Sequence, residues 1–229
     1  MTMASYRKIL AIDIETYSEQ DLKTTGVYRY ARDPSFEILL FAYAFDDEEV
    51  KIIDLARGEK LSEEILAALF DPAVLKTAFN ANFEITCLSW WLKQELPKDQ
   101  WLCTHVLSLY LGLPRKLADV SKVLKLGTEK EKLASGTALI NYFSKPCAPS
   151  KTNGGRTRNF PEHAPEKWEK FIEYCLRDVV AEREIRKRLL KFAPKEKEYR
   201  LWLLDQKIND AGIRLDRTMA DQADRKSVV

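Results

Sequence analysis

The chain has 229 residues, 45% of them hydrophobic, and a formal net charge of +2. That length and apolar share can bury a full core in one α/β domain with a short extension, and 8 glycines and 9 prolines exclude a low-complexity chain. No window approaches the ~18 unbroken apolar residues of a membrane helix, and residues 1–8 lack a secretory apolar core, so a soluble intracellular protein without a membrane partner is expected.

The net charge conceals a polarity. Residues 1–110 sum to −7, residues 111–170 to +6 and residues 171–229 to +3. An acidic half beside a basic half suits an enzyme that holds cations and attracts a polyanion, although charge runs also arise as plain solvated faces. Cys87, Cys103, Cys147 and Cys175 form no C-x-x-C pair, and only His105 and His163 could assist them. Zinc spacing is therefore absent, and reduced cysteines in packed or half-buried positions are expected.

Three β-rich runs open the chain, Tyr6 to Ile14, Glu37 to Phe45 and Val50 to Leu55, separated by turn-rich or acidic stretches. Leu61 to Leu69 reads as a helix with Ser62 at its start and Asp71-Pro72 at its end. Val74 to Phe79 reads as a buried strand, and Asn82 to Leu92 as an amphipathic helix with Glu84 on its first turn. Helical spacing returns at Thr104 to Leu111, Lys116 to Leu126 and Glu131 to Phe143. Residues Ser144 to Pro165 hold four prolines and two glycines and mark a long surface loop. Glu166 to Phe192 is the last strong helix of the domain, and beyond Pro194 a charged helix with Leu201, Trp202, Leu204 and Ile208 ends at Gly212.

Three of these elements carry acids in suggestive places. Asp13-Ile14-Glu15-Thr16 follows the apolar run Ile9-Leu10-Ala11-Ile12, and strand alternation points both carboxylates to one side of the chain. Two buried like charges demand a cation. Asn80-Ala81-Asn82-Phe83-Glu84 closes the second apolar run, and Tyr174 and Asp178, four apart in Tyr174-Cys175-Leu176-Arg177-Asp178, share a helix face. Each has a plain alternative when taken singly: a strand-end acid can be a cap, Glu84 can favour the helix dipole, and Tyr174 with Asp178 can be a helix-surface pair.

In this order and context the four acids and the tyrosine resemble the three exonuclease motifs of the DEDD superfamily of 3′–5′ exonucleases, tyrosine subclass, from about Lys8 to Arg188. The stretches Gly26-Val27-Tyr28-Arg29-Tyr30, Gly112 to Leu117, Asn153 to Arg158 and Leu204 to Gly212 look like the amino-terminal region of phage-type family A DNA polymerases, the DNA polymerase I-like group. In that family a much longer polymerase domain follows the nuclease domain, and this chain stops before it.

The resemblance implies a fold class of α/β: a ribonuclease H-like mixed five-stranded sheet flanked by helices, its first three strands antiparallel and the fourth parallel to the first. It implies residues 1–192 as the exonuclease domain and 193–229 as a helical extension, the start of a missing polymerase region. The activity implied is removal of nucleotide monophosphates from single-stranded or frayed DNA 3′ ends, with possible service to a separate polymerase domain or replication proteins in the cytoplasm of a phage-infected bacterial host. Two divalent ions, Mg²⁺ or Mn²⁺, ~3.5–4 Å apart would be the cofactors, because hard cations match carboxylates.

By the same resemblance Asp13 would bridge both ions, Glu15 and Asp178 would bind the one that activates water, and Glu84 would reach the second ion through water. Tyr174 would orient the attacking water. Thr16 and Asn80 match positions that contact the 3′ nucleotide, and Arg156 and Arg158 on the long loop are candidate DNA contacts because packing offers them little alternative use. Most of the superfamily has aspartate at the position of Glu84, which bears on the second ion. His105 and His163 have no role in the pattern, and Cys175 is expected to face away from Tyr174 and Asp178. Two other readings stay open, a noncatalytic nuclease-like scaffold and an RNA-trimming enzyme of the same superfamily.

Overall fold

The computed structural model describes residues 6–127 and 131–226. Its five strands are β1 (Lys8–Tyr17), β2 (Glu37–Phe45), β3 (Lys51–Asp54), β4 (Val74–Ala78) and β5 (Trp101–Cys103), in the spatial order β3-β2-β1-β4-β5. β2 runs antiparallel to both β1 and β3, while β4 lies parallel to β1 and β5 parallel to β4. This is the ribonuclease H-like mixed sheet. β1 sits at its centre with helices over both faces, which is why Leu10, Ala11, Ile12, Ile14, Thr16 and Tyr17 are all buried instead of alternating with exposed residues.

The helices in the first part of the chain are α1 (Leu22–Ala31), α2 (Glu63–Phe70), α3 (Ala81–Leu92), α4 (Thr104–Tyr110), α5 (Leu117–Val123), α6 (Glu131–Phe143) and α7 (Pro165–Leu189). α7 is the long one, and its sequence explains why it stays helical. Pro165 occupies its first turn, Glu166 complements the positive end of the dipole, and Arg186, Lys187 and Arg188 complement the negative end. Trp168, Phe171, Cys175, Val179, Glu182, Ile185 and Leu189 recur at helical spacing and are buried. The upper part of that stripe joins Leu139 and Phe143 of α6 and Leu39, Leu40 and Tyr17 of the sheet in one core. Full burial of a side chain such as Phe171 or Leu40 contributes roughly 1.5–3 kcal/mol. Lower down, Ile185 and Leu189 pack with Leu107 of α4 and Val120 of α5.

Two members of the stripe are charged. Glu182 and Arg186 are 2% and 3% exposed and pair at 3.5 Å. The Thr104 and Thr77 hydroxyls donate to Glu182, so one carboxylate ties β4, α4 and α7 together. Truncating Arg186 strands a buried carboxylate, and Arg186→Ala is expected to lower unfolding free energy by about 3–5 kcal/mol in a denaturant titration. A loss under about 1 kcal/mol, the range of an exposed pair, would contradict this account.

Several elements differ from the expected ones. β1 runs on to Tyr17, because pairing with β2 continues across an irregularity between Glu15 and Thr16 and reaches Tyr17 opposite Glu37. α1 lies where only turn-rich sequence was expected. Its Asp21 cap accepts from the Lys23 backbone at 2.7 Å, but two threonines and Gly26, at φ 73°, interrupt the helical pattern. β5, at three residues, is too short to show a period and exists through its pairing with β4. The α2 start was legible: Ser62 accepts from the Ile65 backbone at 3.3 Å.

The residues cluster as two compact units, Met1–Pro194 and Lys195–Val229. The second contains α8 (Glu196–Ala211), which Gly212 terminates with φ 64°, and α9 (Arg217–Lys226), which sequence periodicity did not indicate. Among the described residues no helix is long and apolar enough to cross a membrane.

Candidate metal centre

Asp13 and Glu15 stand two apart on the central strand, before the irregularity at Glu15 and Thr16, so both look to the α7 side of the sheet. Glu84 comes from the first turn of α3, which the short link after β4 delivers to the same end of the sheet. Tyr174 and Asp178 come from successive turns of α7. The structure thus brings together five residues from three elements that span most of the chain.

The electrostatics show what this convergence costs. Burial raises Asp13 well above the usual carboxylate range, and the charges of Asp178, Glu15 and Glu84 raise it further. Glu15 rises for the same reasons: burial first, then Asp178 and Glu84. Burial together with Glu182 pushes Glu84 up to about 8, its own backbone N–H opposing. Asp178 is pushed up to about 6 by burial, while a hydrogen bond from the Tyr174 hydroxyl and the nearby Arg177 act the other way. Tyr174 itself is raised by burial and by the carboxylates around it, so its phenol holds its proton at neutral pH.

A cation fits this donor set. Glu84 is 4% exposed, and its Oε2 is buried with no hydrogen-bond partner, an expensive arrangement for a carboxylate unless a positive charge answers it. Carboxylate oxygens are the donors that Mg²⁺ and Mn²⁺ prefer. Asp13, Glu15 and Cys175 each bring one possible ligand atom to within 4.8 Å of the others.

Cys175 corrects one expectation. Its thiol donates to Asp13 Oδ2 at 3.4 Å and lies 3.9 Å from the Asp13 carbonyl, so it faces the carboxylates instead of turning away. Each helical residue turns ~100°, so residue 175 stands only ~60° from residue 178. Sequence alone left open which side of α7 meets the sheet; packing puts Phe171, Cys175 and Val179 on that side, with Tyr174 and Asp178 at its edge.

Gly136 of α6 was also missed. A Cβ there would come within 2.5 Å of Tyr174 Cε2 and 2.9 Å of Cδ2. A glycine inside a helix costs ~1 kcal/mol relative to alanine, so an isolated one in a helical pattern is a signal of close approach. The Tyr174 ring also stacks on Phe171, with ring centres 6.5 Å apart and an interplanar angle of 7°. Gly136→Ala is expected to displace the Tyr174 ring while the circular dichroism spectrum stays native. The check is the Tyr174 ring resonance, compared with Thr137→Ala at an exposed neighbouring position; equal spectra for the two variants would refute the contact.

The remaining expected residues are placed differently. The Thr16 hydroxyl pairs with the Tyr30 hydroxyl at 2.9 Å in a buried position, so its side chain is already engaged. Asn80 is exposed at the start of α3, and its carbonyl accepts from Phe83. Packing does employ the two loop arginines, contrary to expectation. Arg158 lies 3.8 Å from the Tyr17 ring centre and 4.7 Å from that of Phe160, and forms two hydrogen bonds to Glu37. Arg156 holds Asn159 Oδ1 at 2.8 Å and the Asn153 carbonyl at 2.9 Å. Both border a cleft of about 650 Å³ with Tyr17, Phe160 and His163. His163 accepts from the Phe160 backbone, and His105 packs on Phe79. All four cysteines are free, three buried and Cys147 half-buried.

No family model matches the chain. A protein named DNA polymerase from Bacillus phage SP02 is 56% identical over 216 residues, 94% of this chain but 33% of that polymerase. The chain therefore spans about a third of the length of this curated relative, and the likeness to phage polymerase sequence read from the short motifs extends over nearly all of it. Among solved structures, Escherichia coli RNase D, described as an exoribonuclease involved in structured RNA processing, aligns with 80% of this chain and 38% of its own, at 19% identity and a TM-score of 0.42. Brucella melitensis NrnC bound to pGG aligns with 82% of this chain and 76% of its own, at 14% identity and a TM-score of 0.39.

Proposed function

We propose that this chain, more than half identical to a third of a phage DNA polymerase, is a metal-dependent 3′–5′ exonuclease and the proofreading module of a DNA polymerase I-like enzyme. Its substrates are single-stranded or frayed DNA 3′ ends, and its product is a nucleotide monophosphate. The observation that carries this reading is the meeting of Asp13, Glu15, Glu84 and Asp178 in one buried group whose charges oppose one another.

Two divalent cations, Mg²⁺ or Mn²⁺, would lower the pKa of a bound water and neutralise charge building on the phosphate and the leaving oxygen. Asp13 would hold both ions, Glu15 and Asp178 the one that activates water, and Glu84 the second. Glu84 carries one methylene more than aspartate, which a contact made through water would accommodate. The Tyr174 hydroxyl donates a hydrogen bond to Asp178, which leaves its oxygen lone pairs to accept from the attacking water and orient it. Because the phenol stays protonated, Tyr174 positions that water instead of taking its proton.

Thr16 and the exposed Asn80 lie near the carboxylates in sequence and would hold the terminal nucleotide. Arg156 and Arg158 form the wall of the adjoining cleft, where the strand leading to that nucleotide would run. A polymerase region, on the same polypeptide or a separate one, and replication proteins are the partners this role calls for.

The test is a 5′-labelled single-stranded DNA oligomer incubated with the chain and Mn²⁺. A ladder of successively shorter products is expected, abolished by chelator. An unshortened oligomer would favour a noncatalytic scaffold, and faster shortening of the matching RNA would favour an RNA-trimming enzyme.

A further inference from the structure

We propose that Asp13, Glu15 and Cys175 form a mixed oxygen and sulfur site for a thiophilic divalent cation of the zinc or cadmium class, which displaces the hard cation and switches the centre off. The proposal deepens the reading of Asp13 and Glu15 as cation ligands and rests on it.

The geometry is close to what such an ion needs. Zinc bonds sulfur at ~2.3 Å and carboxylate oxygen at ~2.0–2.2 Å, so tetrahedral ligands stand ~3.5 Å apart. Cys175 Sγ and Asp13 Oδ2 are 3.4 Å apart, and the three donor atoms all lie within 4.8 Å of one another. The thiol is 0% exposed, so no solvent competes for it. The partnerless Glu84 Oε2, an independent sign of an unanswered charge, belongs to a carboxylate whose charge reaches both Asp13 and Glu15.

The two classes of cation would use Cys175 differently. A hard cation takes the carboxylate oxygens and leaves the thiol donating its proton to Asp13. A soft cation exchanges that proton, released to solvent, for a metal–sulfur bond. The bond to sulfur would commit Asp13 and Glu15 to an ion held with Cys175 of α7, at the expense of one shared with Glu84 of α3. Soft cations would thus bind more tightly and support turnover poorly.

Cadmium is the probe, because a thiolate-to-cadmium charge-transfer band in the ultraviolet reports sulfur ligation without any nucleic acid. The full chain should show the band on adding one equivalent of Cd²⁺, and manganese should reduce it competitively. Cys175→Ser should remove the band and weaken cadmium binding at least ~10-fold while manganese affinity changes by less than ~3-fold. Cys175→Ala serves the same comparison if serine unsettles the buried position, with circular dichroism as the folding control. A band that survives in both Cys175 variants, or one indifferent to Asp13→Asn, overturns the proposal. Absence of nuclease activity would sink the exonuclease reading and leave this optical test intact.

Discussion

Asp13→Ala is expected to slow 3′-end shortening by ~10³-fold or more in a steady-state assay with Mn²⁺. The reason is its position. Asp13 lies on the central strand and feels the charges of Asp178, Glu15 and Glu84 together, and in the proposed mechanism it is the carboxylate that would touch both ions. Losing it removes the bridge, and with it the several kcal/mol of charge stabilisation that cations supply; each ~1.4 kcal/mol is a factor of ten in rate. Glu84→Gln, at the position proposed to meet the second ion through water, should cost less, on the order of 10–10²-fold. The ranking is the informative part. If Asp13→Ala and Glu84→Gln slow shortening equally, the bridging role is wrong, and if Asp13→Ala has no effect, the activity belongs to a contaminant.

The second large effect concerns stability, and its sign is opposite. In metal-free protein the folded-state carboxyls are raised, Asp178 to about 6 and Glu84 to about 8, with Asp13 and Glu15 raised as well. In the unfolded chain these groups ionise near ~4. Below that pH both states are protonated and the cluster costs nothing. As pH rises from about 4 through 8 the unfolded state has released protons that the folded state still binds, so stability falls across that window. One pKa unit is ~1.4 kcal/mol, so with one carboxyl raised to about 6 and another to about 8 the expected loss between pH 5 and pH 8 is on the order of 5 kcal/mol.

For a chain of this size each kcal/mol moves the thermal midpoint by ~2–4 °C. In chelator, the midpoint should therefore drop by roughly 10–20 °C between pH 5 and pH 8. Mg²⁺ or Mn²⁺ should restore it, more at pH 8 than at pH 5, where protons compete for the same oxygens. Asp13→Asn removes one charge from the cluster, so this variant should be more stable than the parent at pH 8 in chelator while being far less active. Scanning calorimetry at the two pH values decides it. A parent midpoint that rises toward pH 8, or an Asp13→Asn variant less stable there, would contradict the buried-carboxylate account.

The chemistry of the centre was legible because it depends on short-range periodicities. Asp13 and Glu15 share a side because strand side chains alternate, and Tyr174 and Asp178 share a face because four residues make about one helical turn. The strands read at Glu37 to Phe45 and Val74 to Phe79 were legible for a similar reason: their apolar residues mark segments buried on both faces. Ser62 announced its helix by its own hydroxyl. What failed was short or interrupted. α1 is broken at Gly26, and β5 is three residues long, so neither repeats its period often enough to be read.

The amino-acid sequence by itself determined which residue types stand at which local spacing, and with them the α/β class and the set of acids able to hold a cation. The tertiary structure decided what meets what. Helix periodicity defines faces but leaves the rotation of α7 against β1 free, and only the packing of Phe171, Cys175 and Val179 into the core turned the Cys175 thiol onto Asp13. In the same way Gly136 acquires its meaning from the Tyr174 ring across a helix interface, and Arg158 from Tyr17, Phe160 and Glu37. These contacts join residues up to 162 positions apart, and no local period encodes a distance of that kind.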